Sequence, residues 1–216
     1  MGCRPCQRGS SYTRAVPASQ NQRIGLFGGT FDPPHRGHLA AATAVREALD
    51  LDEVLMVVAN DPWQKSSERQ VSPAAVRVAM TRALVEGQAG LVVDDREVRR
   101  GGPTYTADTL DELVAERPGA EVFLVVGQDT AATIEATWHR ADHVLSMATL
   151  VVITRAGAPL HTEASPSGSM YVEMNPVDVS SSQIRDAVGR GESIDAWTTP
   201  EVARIIDAHG LYRTHQ

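Results

Sequence analysis

The 216-residue chain has two cysteines, Cys3 and Cys6, both in its first six residues, so no disulfide staples the part that carries the core. No apolar run reaches the roughly 18–20 residues of a membrane helix, which excludes a helical span. The first residues hold charges but no apolar stretch of the secretory kind. Positive charge is in deficit, with 20 Lys+Arg against 27 Asp+Glu and a net charge of -7. Proteins that coat DNA or RNA carry the opposite balance, so nucleic acid is not expected as a partner. An anionic small substrate needs only a local cluster of cations. The expected compartment is the cytoplasm, and a homo-oligomer stays open. Hydrophobic residues make up 42% and charged residues 22%, enough for one core and a solvated surface. The length suits one domain.

Residues 1–22 are rich in Arg, Ser, Gln, Pro and Gly and show no apolar period, so they read as a disordered tail before a single domain at 23–216. CRPC at 3–6 has C-x-x-C spacing, but no second ligand pair completes a zinc site. Beyond the tail, β-branched runs alternate with helical periods. RIGLFGG (23–29), VLMVVA (54–59), LVVDD (91–95), VFLVVG (122–127), TLVVIT (149–154) and MYVEM (170–174) read as strands. Leu39, Ala42, Val45 and Leu49 recur at helical spacing, as do Val76, Met80 and Leu84. Ser72 and Pro73 suit an N-cap and first turn, and Gly87 a stop. Thr106 opens a helix that Pro118-Gly119 ends. Ser180 and Gln183 fit a capping box, and Thr199-Pro200 starts the last helix. The fold class is α/β: a Rossmann-like, doubly wound, mostly parallel sheet of about six strands with helices on both faces. Ligands of such sheets bind beyond the strand carboxyl ends. That selects the loops 28–38, 60–72, 99–106, 127–138 and 155–182.

GGTFDPPHRGHL (28–39) carries the strongest signal. Gly28 and Gly29 remove side chains where the strand turns, so another group can approach the backbone. Pro33 and Pro34 stiffen the loop. His35 and His38 are three apart at a helix start, beside exposed N–H groups that suit a phosphate. Histidines so placed can donate to oxygens that gain charge in a transition state. Neither G-x-x-x-x-G-K-[ST] nor G-x-G-x-x-G is present, which removes the P-loop and the nicotinamide-binding fingerprint. His139 and His143 have the i, i+4 spacing of some zinc pairs, but no third ligand accompanies them. They read as surface or packing residues, and no protein metal site is expected.

GGTFDPPHRGHL resembles the signature of the nucleotidyltransferase α/β-phosphodiesterase superfamily, with its T/H-x-G-H core. The bacterial nicotinate mononucleotide adenylyltransferase branch looks closest. The likeness continues through PWQKSSERQVS (62–72), GGPTYTADTL (101–110), VGQDTAATIEATW (126–138), VSSSQIR (179–185) and HGLY (209–212). The resemblance implies transfer of AMP from ATP to nicotinate mononucleotide, giving deamido-NAD and pyrophosphate in NAD biosynthesis, with Mg2+ carried on ATP. It implies that His35, His38, Lys65 and Arg185 are catalytic. Gly28, Gly29, Thr30, Phe31, His35, His38, Gly127, Asp129, Ser180, Ser182 and Arg185 would hold ATP, with Asp129 facing ribose hydroxyls. Thr104, Tyr105 and Trp138 would form the pyridine pocket, with Trp138, one of three tryptophans, stacking on the ring. The chain departs from the family at Ser182, where Thr is usual, at Trp63-Gln64, where Pro-His precedes the Lys, and at Gln128, where Ala is common. Two other readings stay open at this point: a related transferase with another phosphate acceptor, such as phosphopantetheine, and a nucleotide-binding regulator without catalysis.

Overall fold

The computed structural model describes residues 21–61, 71–157, 162 and 165–213. Six strands, β1 (Arg23–Gly29), β2 (Glu53–Val58), β3 (Leu91–Asp94), β4 (Glu121–Gly127), β5 (Thr149–Arg155) and β6 (Met170–Met174), form one sheet in the order β3-β2-β1-β4-β5-β6. Every pairing is parallel. The helices are α1 (Arg36–Ala48), α2 (Ala74–Val85), α3 (Arg96–Arg100), α4 (Thr106–Glu116), α5 (Gln128–Ala131), α6 (Ile134–Thr137), α7 (Ala141–Met147), α8 (Ser181–Gly189) and α9 (Pro200–Ala208). None of them is long and apolar enough to cross a membrane.

Both sheet faces are buried because alternate residues of each strand meet a different helical layer. Ile24, Leu26, Leu55, Val57, Val122, Leu124 and Val126 face the layer that holds Leu110, Leu113, Ile134 and Val144. Val54, Met56, Val58, Phe123, Val125 and Val151 face the other way, onto Ala42, Val45, Val78 and Val85. Gly25 sits opposite Val54, where a Cβ would lie 2.9 Å from the Val54 side chain. A third cluster, with Met80, Leu84, Ile184, Val202 and Ile206, joins α2, α8 and α9 and packs the C-terminal segment onto α2.

The doubly wound fold is as the hydrophobic pattern indicates, with four local differences. The helix expected to start at Ser72-Pro73 begins at Ala74 with Pro73 as its N-cap. Ser72 cannot cap because its groups bond elsewhere: its hydroxyl to Tyr212, its carbonyl to Arg77. Segment 127–138, read as a loop, contains the one-turn helices α5 and α6. Residues 96–100, also unassigned, form α3, too short to show a period. His139 lies before α7 rather than on it, so His139 and His143 do not share a helical face. Tail residues 1–20, with CRPC, fall outside the described residues. Gln22 is paired, donating to Glu53 at 3.1 Å and accepting from Arg117 at 2.7 Å.

Candidate functional site

From β1 the chain winds outward to β2 and β3; from β4 it winds the opposite way to β5 and β6. The loops leaving these two central strands therefore diverge and open a crevice at their carboxyl ends. Leu26 pairs with Leu124, which sets Gly29 level with Gly127 at the crevice floor. A Cβ at Gly28 or Gly127 would meet nothing within 4 Å. At Gly29 a Cβ would lie 2.7 Å from the Phe31 ring, so this position must be glycine for Phe31 to fold back beneath it. Phe31 adopts φ 50 and presents its ring to His38 edge-on, with 5.0 Å between centroids.

His35 is the N-cap of α1 and His38 its third residue. The His35 N–H donates to His38 Nδ1 at 3.2 Å. A nitrogen that accepts carries no proton, so the neutral His38 ring bears its hydrogen on Nε2. The two imidazoles stack at 3.7 Å, and a Cβ at Gly37 would lie 3.0 Å from His35 Nδ1. His35 is 7% exposed and its Nδ1 has no aligned hydrogen-bond partner. Burial lowers its pKa from 6.5 to about 4, so the ring is neutral at physiological pH.

That shift has a consequence for stability. The unfolded chain binds this proton near pH 6.5, while the folded chain resists it until about pH 4. The contribution is whole above the upper value and lost as pH falls through the window, by up to about 3 kcal/mol. Urea unfolding at pH 7 and pH 5 checks this. The wild type should lose more stability than His35→Gln over that interval; equal losses would refute it.

The start of α8 is bound to the same loop. Ser180 Oγ caps it, accepting from the Gln183 N–H at 3.2 Å. Ser181 Oγ donates to the Pro33 carbonyl at 2.8 Å. Arg185 donates to the Asp32 carbonyl and to Ser182 Oγ, each at 2.9 Å. A capped helix start with an Arg one turn in, next to a second helix start with two histidines, has the N–H groups and the positive charge that suit an anion.

Arg77, Tyr212 and Asp32, to which the sequence reading gave no role, hold this arrangement. Arg77 is 1% exposed and donates to four carbonyls: Ser72 at 2.8 Å, Thr30 at 2.9 Å, Ala59 at 2.6 Å and Asn60 at 2.9 Å. Its signal was legible, since it shares a helical face with Thr81 and Leu84. Tyr212, in the HGLY block, donates to buried Asp32 at 2.6 Å and accepts from Ser72 Oγ at 3.2 Å. Burial first, then the Asp32 charge, pushes the phenol pKa well up, so it remains a donor.

On the far side of the crevice Tyr105 is the N-cap of α4. Gly101 and Gly102, at φ 72 and 71, turn the chain into it. Asn60 stitches this turn to β2, donating from Nδ2 to the Gly102 carbonyl at 2.9 Å and from its N–H to Thr104 Oγ1 at 3.1 Å. The chain of bonds Thr30–Arg77–Asn60–Thr104 therefore links the two halves of the crevice. The Tyr105 ring contacts His139 at 4.6 Å, and half-buried Trp138 packs on the adjacent core. His143 pairs instead with Asp111 at 2.7 Å, beside Arg140 at 3.0 Å. Asp129 is exposed in the first turn of α5. Lys65, with Trp63 and Gln64, lies outside the described residues. Among the described residues no group of three His, Cys, Asp or Glu is spaced to hold a metal.

Residues 26–187 match the cytidylyltransferase-like family. A Gemmatimonas aurantiaca protein, named a probable nicotinate-nucleotide adenylyltransferase, is 40% identical over 89% of this chain and 93% of its own length. A Thermus thermophilus protein of the same name is 40% identical over 88% of this chain and its full length. The nicotinic acid mononucleotide adenylyltransferase of Plasmodium falciparum, solved with NaAD, has the same fold: TM-score 0.71 at 17% identity, covering 89% of this chain and 98% of that one. The chain belongs to the cytidylyltransferase-like family, and within it to the nicotinate-nucleotide adenylyltransferases.

Proposed function

We propose that residues 23–216 form one catalytic domain that moves the adenylyl group of ATP onto nicotinate mononucleotide, with His38 as its principal donor. A phosphate oxygen of the mononucleotide attacks the α-phosphorus of ATP. The new O–P bond forms as the bond to the β-phosphate oxygen breaks, and pyrophosphate leaves with that electron pair. The nucleophile is already an anion, so no protein base is needed and the protein's work is alignment and charge stabilisation. The observation that carries this reading is the His35 N–H donating to His38 Nδ1, which sets the proton of the neutral ring on Nε2, the nitrogen that donates to the α-phosphate as its charge grows. Neutral His35 lies beside it. Gly28, Gly29, Thr30 and Phe31 let the nucleotide approach the strand end. Gly127 and Asp129 face its ribose. Ser180, Ser182, Arg185 and Lys65 take the outgoing phosphates. Mg2+ enters as part of the MgATP substrate, bound by phosphate and water as this ion prefers. Both substrates are water-soluble anions, which suits a cytoplasmic reaction without a membrane or nucleic acid.

Thr104, Tyr105 and Trp138 receive the pyridine. No Arg or Lys occurs in 103–110, so the acid group meets backbone N–H donors at the α4 start. Those donors satisfy a carboxylate, whereas an amide turns its own NH2 toward them. An unpaired buried donor costs about 1–3 kcal/mol, so the acid is expected to be preferred roughly tenfold to a hundredfold. Comparing kcat/KM for nicotinate mononucleotide, nicotinamide mononucleotide and phosphopantetheine at one ATP concentration tests the assignment. Equal use of acid and amide would remove Thr104 and Tyr105 from the pocket, and preference for phosphopantetheine would overturn the acceptor class.

A further inference from the structure

HGLY (209–212) takes the chain from the end of α9 to the loop after β1. His209 is the C-cap of α9, and Gly210 follows at φ 58. The Gly210 N–H donates to the Asp207 carbonyl at 3.1 Å and the Leu211 N–H to the Ile206 carbonyl at 3.0 Å. This pair of bonds is the glycine stop of a helix. Leu211 then packs on the cluster that joins α2, α8 and α9. The turn leaves the Tyr212 hydroxyl 2.6 Å from Asp32, the distance of a phenol donating to a carboxylate. The same hydroxyl accepts from Ser72 Oγ at 3.2 Å, and the Ser72 N–H reaches the other Asp32 oxygen at 3.4 Å.

Asp32 is buried and stands in the chain between Phe31, whose ring meets His38 edge-on, and the Pro33-Pro34 pair. The prolines have no N–H to give, so the loop is fastened largely through its carbonyls. Arg185 meets that of Asp32 at 2.9 Å, Ser181 that of Pro33 at 2.8 Å and Thr198 that of Pro34 at 3.2 Å. The Arg36 N–H donates to the Trp197 carbonyl at 2.8 Å. The C-terminal part of the chain thus holds the loop that carries His35 and His38. Tyr212 adds a bond to the loop's own carboxylate, shorter than any of these.

We propose that Tyr212 is a positioning residue for the chemical step, setting the place of His38 through Asp32 without touching substrate. This rests on His38 as the donor to the α-phosphate. Without the phenol, the buried carboxylate loses a donor and must shift to regain one. Phe31 and His35 lie within three residues of it, so the shift reaches both the ring at the edge of His38 and the ring stacked on it. An ångström of misplacement costs roughly a hundredfold in rate. With four other bonds still on the loop, the movement is a fraction of that.

The test is a cycle of Y212F, His38→Ala and the double variant, assayed with MgATP and nicotinate mononucleotide. Phenylalanine keeps the ring and its packing and removes one oxygen. Y212F should lower kcat about tenfold and leave KM for both substrates within about twofold. In the His38→Ala background it should change kcat by no more than about twofold, because the group it positions is gone. Thermal unfolding of the three variants fixes an assay temperature at which each is folded. Near-normal kcat in Y212F beside a slow His38→Ala would overturn the role of Tyr212 and leave His38 standing. An equal loss in both backgrounds would show that the phenol acts elsewhere, and a rise in KM without a fall in kcat would show support of binding; either overturns the proposal. Near-normal turnover in His38→Ala would overturn the donor assignment and this inference with it.

Discussion

His38→Ala is expected to lower kcat about a hundredfold to a thousandfold while KM for ATP changes only a few-fold, because one preorganised donor to a developing charge is worth about 3–4 kcal/mol and acts in the transition state. The surroundings of the ring explain why it is preorganised. Phe31 meets it edge-on at 5.0 Å, His35 stacks on it at 3.7 Å, and the His35 N–H holds Nδ1. Little rotation or tautomer change is left to pay for during reaction. Two substitutions separate the donor from the cap. Asn can offer an oxygen near the Nδ1 position and keep the contact with the His35 N–H, but its amide nitrogen falls short of Nε2. Gln reaches that far and keeps a donor there. The expected order of kcat is wild type, then Gln, with Asn near Ala. Steady-state kinetics of the three variants checks it, and near-normal turnover in His38→Ala would remove the residue from the chemistry. Losing the cap should also cost about 1 kcal/mol of stability, visible in Tm and independent of turnover.

Arg77→Met should be the most damaging change outside the reacting groups, destabilising the fold by about 3–5 kcal/mol. The side chain is 1% exposed, and its guanidinium satisfies carbonyls from three separate segments: Thr30 after β1, Ala59 and Asn60 after β2, and Ser72 before α2. Methionine fills much of the volume but leaves those oxygens without the donor, in a place with little access for water. Lysine restores the charge, yet a single ammonium cannot span all four directions, so Arg77→Lys should fall between. The kinetic pattern distinguishes this residue from His38. Thr30 borders the proposed ATP site and Asn60 holds Thr104, so KM for both substrates should rise together. Urea unfolding and two-substrate kinetics report on the two effects. A loss under about 1 kcal/mol would mean that water replaces the guanidinium.

Much of this molecule was readable along the chain because the deciding interactions are local. The alternation of strand residues between two helical layers needs only a period of two. The caps at Ser180 and Thr199 bond to N–H groups three residues on, at Gln183 and Val202, so residue type and spacing suffice. The glycines at 28–29 and the histidines at 35 and 38 likewise carry their meaning within one loop. Ser72 shows where that stops: it has the side chain of a cap and a proline after it, but Tyr212, 140 positions away, takes its hydroxyl. Asp32 and Tyr212 are 180 positions apart, and Arg77 and Thr30 are 47. No periodicity encodes such pairs, because a buried polar group bonds to whatever group the completed fold brings within 3 Å or so. Glu97, which accepts from Thr109 Oγ1 at 2.6 Å, is the same case on a five-residue helix with no pattern to announce it. Local hydrogen bonding and hydrophobic period thus determined the strands, most helices and the loop that carries His35 and His38. Only the tertiary structure decided which buried groups hold that loop and the turn before α4 in place, since desolvation forces those pairings and acts only once the chain has closed around them.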